Sequence, residues 1–321
     1  MLRLPLIRKF YICIFVLFII VNLSLFWGLP LEWPFSSATK IILWQLRLPR
    51  VILAGLAGGA LGISGAVLQT LFLNPLAEPY ILGISGGAAL GGALALLLGI
   101  NLFGLGITLG AFAGAIFALF LLLGWIGLKG EISTYFLLLA GVVLNALFSS
   151  IILFIFALVK SEVLRSIYFW LLGDLSTVGL NEVGWLIFFV FFCSLGCFYY
   201  AYALDAFAQS EIIAYTLGFS VEKIKRQLLI IVSLLVGATV AVTGMIGFVG
   251  LITPHVVRMW VGSGHRQVLP FSFLCGSGFL ILSDTLARQL FTPLEMPVGV
   301  ITAILGAPFF LYLLKCHVKT T

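Results

Sequence analysis

From Val51 to Ala77 the chain carries no charged side chain. About 20 apolar residues in a helix cross the hydrocarbon of a bilayer, so this stretch is long enough to span one. Its small residues recur at intervals of four: Gly55 with Gly59, Gly58 with Gly62, Gly62 with Ala66. Within lipid that spacing lets a second helix approach closely, because packing rather than hydrophobicity drives association there. Arg47 and Arg50 stand just ahead of it, around Pro49. It ends in Asn74-Pro75-Leu76-Ala77-Glu78-Pro79, a break that no continuous helix would adopt.

The rest of the chain is of the same kind. Apolar residues make up 62 % and charged residues 9 % of 321, against about 25 % charge in a soluble domain. The expected fold class is an all-α polytopic membrane protein. No long polar region separates the apolar runs, so residues 1–321 read as a single membrane domain. The net charge of +6 calls for no nucleic-acid partner, since basic cytoplasmic loops give the same excess. Cys13, Cys193, Cys197, Cys275 and Cys316 lie mostly in apolar runs and form no Cys-x-x-Cys pair, which suggests neither a disulfide framework nor a metal site. The first apolar run follows basic residues, as a signal peptide would. It is long and no clean cleavage site follows, so it reads as a retained span.

The opening stretch has an echo. A shift of 179 positions lays Gly58, Ser64-Gly65 and Pro75 onto Gly237, Thr243-Gly244 and Pro254, and Arg47 onto Arg226. A weak internal repeat, with a Gly/Pro-interrupted span in each half, points toward a transporter built from inverted halves.

Spans fall at about 10–29, 48–72, 82–99, 104–127, 134–159, 183–203, 226–248, 254–262 (short), 268–287 and 298–315, about ten in all. Basic residues precede the first and follow the last, which predicts a multi-pass protein with both termini cytoplasmic and an even number of spans. Most of the 17 Lys and Arg then fall inside. Arg47, Arg50 and Arg288 fall outside, where the rule that sets topology does not account for them. The segment from Lys160 to Glu182 has an apolar core too short to span and reads as a re-entrant or surface helix shielded by protein.

Seven motifs carry a resemblance: RLPR from Arg47, SGAVLQTLFLNPLAEPYILG from Ser64, WLLGDL from Trp170, GMIGFVGLITPHVVR from Gly244, GHRQVLP from Gly264, Asp284-x3-Arg288, and EMPVGVITAILGAPFFLYLL from Glu295. In this order they resemble the permease subunits of type II ATP-binding-cassette (ABC) importers for iron–siderophores, haem and vitamin B12. The resemblance implies ten helices per subunit, two subunits around a central pathway, two ATP-binding subunits, and a soluble extracytoplasmic binding protein. It also implies a prokaryotic cytoplasmic (inner) membrane. The chain has no Gly-x4-Gly-Lys-[Ser/Thr] phosphate loop, so ATP hydrolysis falls to a partner and the chain is not expected to be an enzyme. One large cytoplasmic loop, 205–226, is fit to receive a motor. A symmetric two-ATPase engine then needs a second copy (a homodimer) or a close relative.

Within that loop Ser210 can cap a short helix with Glu211 in its first turn, Gly218 can end it, and Ser220 can start the next. The resemblance assigns this segment, with Leu217, to ATPase coupling. It assigns Arg47, Arg50 and Arg288 to docking of the binding protein, for which arginine suits carboxylate recognition; snorkelling to lipid phosphates is the other option. Ser133 and Thr134 match an inner gate by position, and Ser133 equally reads as a helix N-cap. Asn74, Pro75, Gly244, Pro254 and His255 belong to the structural breaks. His255 has no second ligand at metal spacing, so no metal and no cofactor are expected. Asp284 and Arg288, one helical turn apart, can pair. Glu78, Gln69 and Asn74 read as satisfying broken backbone.

The expected function is inward movement of a metal chelate by alternating access, with iron–siderophore first and haem or vitamin B12 next. The alternative is an ion-coupled secondary transporter, which would normally place carboxylates in mid-membrane; Asp284 and Glu78 both lie toward span ends.

Overall fold

The structure is a computed structural model that describes residues 5–29, 36–100, 105–126, 133–176, 179–290 and 294–318. Arg3, Lys129 and Lys319 of the charge balance lie outside these. Among the described residues every regular element is helical. α1 (Leu6–Phe26) is followed by α2 (Ser37–Ile41), which runs through a π-helical turn (Ile42–Arg47) straight into α3 (Leu48–Leu71). A 3-10 turn (Pro79–Leu82) leads to α4 (Ile84–Leu97), then α5 (Gly106–Ile126) and α6 (Thr134–Leu158). α7 (Ser161–Leu171) precedes α8 (Leu180–Tyr199), and the short α9 (Ala201–Phe207) and α10 (Glu211–Thr216) precede α11 (Val221–Thr243). α12 (Val249–Val261), α13 (His265–Gln289) and α14 (Val298–Val318) complete the chain.

Seven of these helices are long and apolar enough to cross a bilayer, and three shorter apolar ones, α4, α12 and α14, bring the set to the expected ten. Two boundaries differ from expectation. The second span is preceded by helix from Ser37, so Arg47 lies within a continuous rod. The seventh ends at Thr243 rather than 248, because Gly244 takes φ +69°, a conformation that stops a helix at no cost to glycine. The segment expected to be re-entrant is α7. It buries Ile167 and Trp170, and the Trp170 ring packs where a Cβ on Gly92 of α4 would stand.

α3 is the axis of the bundle: 83 % of its apolar window is buried, against 6 % for α1. It runs antiparallel to α13. A Cβ on Gly58 would lie 2.2 Å from the Gly276 carbonyl oxygen, and one on Gly62 would lie 2.3 Å from that of Ser272. Side chains there would hold the backbones apart, so the four-residue spacing fixes the approach. Ser277 Oγ adds a 2.6 Å hydrogen bond to Gly55 O across the same seam.

The packing echoes the sequence repeat. α3 packs on α13 and α12, and α11 packs on α5 and α4. Gly58 and its match Gly237 serve alike, since Gly237 faces Ala115 of α5 with room for no Cβ. The match of Pro75 with Pro254 does not carry through: Pro75 follows the end of α3, whereas Pro254 lies inside α12. A glycine seam tolerates few changes, while a break can be made at any residue that ends a helix.

Arg50, Phe169, Asp174 and Glu295 share one end of the bundle, here the α7 end. The opposite end carries α9 and α10.

Candidate functional site

Two interruptions meet inside the bundle. After α3, Asn74 Oδ1 accepts from Leu76 N at 2.9 Å, an Asx turn that reverses the chain around Pro75. The chain then climbs back among the helices. A Cβ on Gly250 would touch both Pro79 Cδ and Leu61 O at 2.8 Å, and Leu61 lies about 15 Å along α3 from its end. Asn145 of α6 donates to Tyr80 O at 2.8 Å. Gly83, at φ +79°, then turns the backbone into α4. The second interruption, 244–248, leads into α12 through Phe248 at φ +69°, a rare conformation for a bulky residue. α4 and α12 have 14 and 13 residues, about 20 Å each, so each crosses only part of a bilayer.

The breaks clasp each other. Glu78 Oε1 accepts from Phe248 N at 2.5 Å. Tyr80 OH donates to Ile246 O at 2.7 Å and accepts from Ile246 N at 2.6 Å. A carboxylate at the start of α12 satisfies an N–H without an intrahelical partner and faces the positive end of the helix dipole. Pro254 leaves the Gly250 carbonyl without its helical donor, and Gln69 Nε2 replaces it, at 3.3 Å, while also reaching Leu251 O at 3.1 Å. Thus Asn74 serves its own break, while Glu78, expected toward a span end, lies instead among the helices and with Gln69 serves the other break. The sequence offered the right residues; their partners, about 170–180 positions away, were not legible.

Toward the α10 end the clasp continues as a buried polar chain. Arg258 of α12 donates to Gln69 Oε1, to Ala66 O at 3.0 Å and to Thr70 Oγ1 at 3.3 Å. Thr70 Oγ1 meets His265 Nε2 at 2.7 Å. His265 Nδ1 and backbone N both contact Asp205 Oδ1 at 2.7 Å. Asp205 sits on α9, immediately before α10. His265 and Asp205 carry no sign of this pairing in the sequence, because each is a single polar residue near a helix end, the commonest place for one.

α10 forms as its sequence dictates. Ser210 Oγ accepts from Ile213 N at 3.1 Å, and Gly218, at φ +88°, ends the turn. Ser220 stands at the N-cap of α11 without a side-chain cap bond. Glu211 pairs with Lys225 of α11 at 2.6 Å, bracing α10 against the bundle. Ile212, Tyr215 and Leu217 are left 76 %, 74 % and 64 % exposed.

At the α7 end the arginines turn inward. Asp284, 1 % exposed, receives Arg50 Nε and Nη2 at 2.9 Å and lies 3.2 Å from Arg288 Nε. Arg50 also reaches Glu295 at 2.8 Å. Arg288 donates to Ser24 Oγ and O, and Arg47 to Leu25 O and Trp27 O, so both satisfy the last carbonyls of α1. The expected Asp284–Arg288 pair is present within this larger network.

Ser133 Oγ faces Phe136 N at 3.5 Å at the start of α6, and Thr134 lies beside Leu71, Phe72 and Lys225 of the same chain. His255 is half-buried on α12. Among the described residues no group of His, Cys, Asp and Glu could hold a metal ion.

The model of the FecCD transport family matches residues 6–316. The chain belongs to the FecCD transport family. It is 40 % identical over 293 residues to the cobalamin import system permease protein BtuC of Halobacterium salinarum, covering 91 % of this chain and 78 % of that one. It is 38 % identical over 291 residues to the vitamin B12 import system permease protein BtuC of Escherichia coli, covering 90 % and 87 %. A solved structure described as an inward-facing conformation of a metal-chelate type ABC transporter superposes with a TM-score of 0.88 at 31 % identity, covering 96 % of this chain and 99 % of that one. PsaBC from Streptococcus pneumoniae, at 19 % identity and a TM-score of 0.55, shares the fold. As a FecCD member the chain is a permease subunit of an ABC importer, a translocating component rather than a catalyst. The family works with ATP-binding subunits and a substrate-binding protein.

Proposed function

We propose that this chain carries a bulky metal chelate into the cytoplasm, with a corrinoid as first candidate and ferric siderophore or haem next. The names of its BtuC relatives support that order, which reverses the one expected from sequence alone. The α10 end faces the cytoplasm, and so do both termini. The excess of Lys and Arg at that end supports the orientation.

The observation that carries the coupling is α10. It lies outside the spans and presents Ile212, Tyr215 and Leu217 to solvent. Exposed apolar residues on a short helix call for a protein partner, and an ATP-binding subunit is the partner this family supplies. Motion of α10 reaches the interior through Asp205, His265, Thr70 and Arg258, which end on α12 and its clasp. Two ATP-binding subunits need two such loops. A second copy of the chain provides the other, paired through the exposed apolar faces of α6 and α14, on which Leu139, Val143 and Leu147, and Ile304 and Leu311, stand. Ser133 and Thr134, at the same end, form the inner gate. The binding protein docks at the α7 end, where Arg47 meets backbone carbonyls and Arg50 and Arg288 hold the underlying helix ends in place.

The test is ATPase stimulation in lipid by the chain, its ATP-binding subunit and its binding protein, with cobalamin, ferric siderophores and haem added singly. One cargo class, acting only through the loaded binding protein, is expected to stimulate. Leu217→Asp should abolish association with the ATP-binding subunit while leaving the melting temperature of the purified permease within about 2 °C, since a surface change costs little. Intact association in that variant would remove α10 from the coupling role.

A further inference from the structure

An apolar groove of about 480 Å³ opens on the outside of the bundle between α1, α3, α8 and α13, walled by Phe10, Leu56, Phe191, Leu195, Phe198 and Phe273. Its α8 wall runs from Ile187 to Phe198, which is about 16 Å of helix and close to half the hydrocarbon thickness. The groove therefore occupies the depth of one leaflet, the one at the α10 end.

Its mouth at that end is basic and aromatic. Arg266 lies one turn before Pro270 of the α13 wall, and Tyr202 one turn beyond Phe198 of the α8 wall. The Arg266 guanidinium stands 5.0 Å from the Tyr202 ring centroid and donates to Tyr202 OH at 2.7 Å; both side chains are exposed. Lys9, next to Phe10 on α1, reaches Trp260 O of α12 at 2.5 Å. Trp260, Phe271 and Phe10 stack edge to face beside it. The neighbouring carboxylate, Asp205, is engaged with His265. An exposed guanidinium on an aromatic ring at the end of an apolar slot matches a phospholipid: acyl chain within, phosphate at the interface.

We infer that this groove binds one anionic glycerophospholipid of the leaflet at the α10 end, its acyl chain between α8 and α13 and its phosphate against Arg266. The length argues for a lipid over a second protein, since the lined stretch of α8, about 16 Å, suits one acyl chain and is about half of what a spanning helix would cover. A bound lipid there joins the start of α13, which holds His265, to α1 and α8. The inference rests on the chain's spanning a membrane and is independent of its cargo.

Native mass spectrometry of the purified full chain, titrated with phosphatidylglycerol or phosphatidylcholine, tests it. One phosphatidylglycerol per chain should bind in preference to phosphatidylcholine. Arg266→Gln should weaken that adduct about fivefold, the worth of one basic residue at an anionic surface, and weaken phosphatidylcholine less, because its choline cation offsets the phosphate charge. Leu195→Trp, which fills the slot, should remove it. Arg8→Gln, two residues from Phe10 and so on another face of α1, should have no effect. Equal binding of the two lipids, or an adduct indifferent to Arg266→Gln, would overturn the proposal. So would a dimer lost in Leu195→Trp with lipid binding unchanged, which would give the groove to a second copy.

Discussion

Asp284→Ala is expected to destabilise the permease by about 3–5 kcal/mol, because it strips a buried carboxylate from charged partners that remain buried. Arg50 is 11 % and Arg288 8 % exposed at the side chain, and both lie within 3.2 Å of Asp284. Their other bonds do not substitute for it: Glu295, the second acid on Arg50, is 53 % exposed. Glu295→Ala should accordingly cost about 1 kcal/mol or less. Thermal melting of the purified chain in detergent, followed by size exclusion, measures both. A third variant separates charge from packing. Replacing Arg50 and Arg288 by Met and Asp284 by Leu together should recover most of the loss, since an apolar set of similar volume is tolerated where a broken ion pair is not. If the triple variant is as unstable as Asp284→Ala, the loss lies in the hydrogen bonds that Arg288 makes to Ser24 at the end of α1 rather than in unpaired charge.

The second large effect is at Gly65. A Cβ there would lie 1.8 Å from Gly250 O. That carbonyl cannot withdraw, being the one Pro254 leaves free and Gln69 holds. Gly65→Ala must therefore move α12 away from α3, at about 3 kcal/mol, the upper range for overpacking. Around Gly124 of α5 the position a Cβ would take has nothing within 4 Å, so Gly124→Ala should gain up to about 1 kcal/mol from helix propensity. The same chemical change thus has opposite signs at two helical glycines. Equal melting temperatures for the two variants would mean that α3 and α12 are not in contact at Gly65.

How much of this was legible depends on the range of each interaction. The glycine spacing after Val51 announces a close helix contact, and α13 supplies it. The spacing gives a face of α3, however, and cannot name the partner. Proline marks the first break plainly at Asn74–Pro79. The second is blurred, because Phe248 adopts positive φ without being glycine, held there by Glu78 from the other half of the chain. Ser210 and Gly218 bound α10 through contacts only a few residues long, so the helix could be read directly. The arginines at 47, 50 and 288 could be assigned to an end of the bundle by charge counting. Counting does not distinguish a side chain that faces solvent from one that satisfies the end of α1 or a buried acid. Asp205 and His265 are separated by 60 positions, and nothing in the composition of either helix end joins them.

That chain of contacts makes ATP-driven uptake the most direct measurement. Proteoliposomes would contain the permease, its ATP-binding subunit and its binding protein, with labelled cobalamin outside and ATP within. Uptake should require ATP and should be lost in Asp205→Ala while ATP hydrolysis persists, because α10 would still bind its partner but no longer reach His265, Thr70 and α12. Uptake that proceeds without the ATP-binding subunit and collapses with the proton gradient would contradict an ATP-coupled permease and favour an ion-coupled transporter.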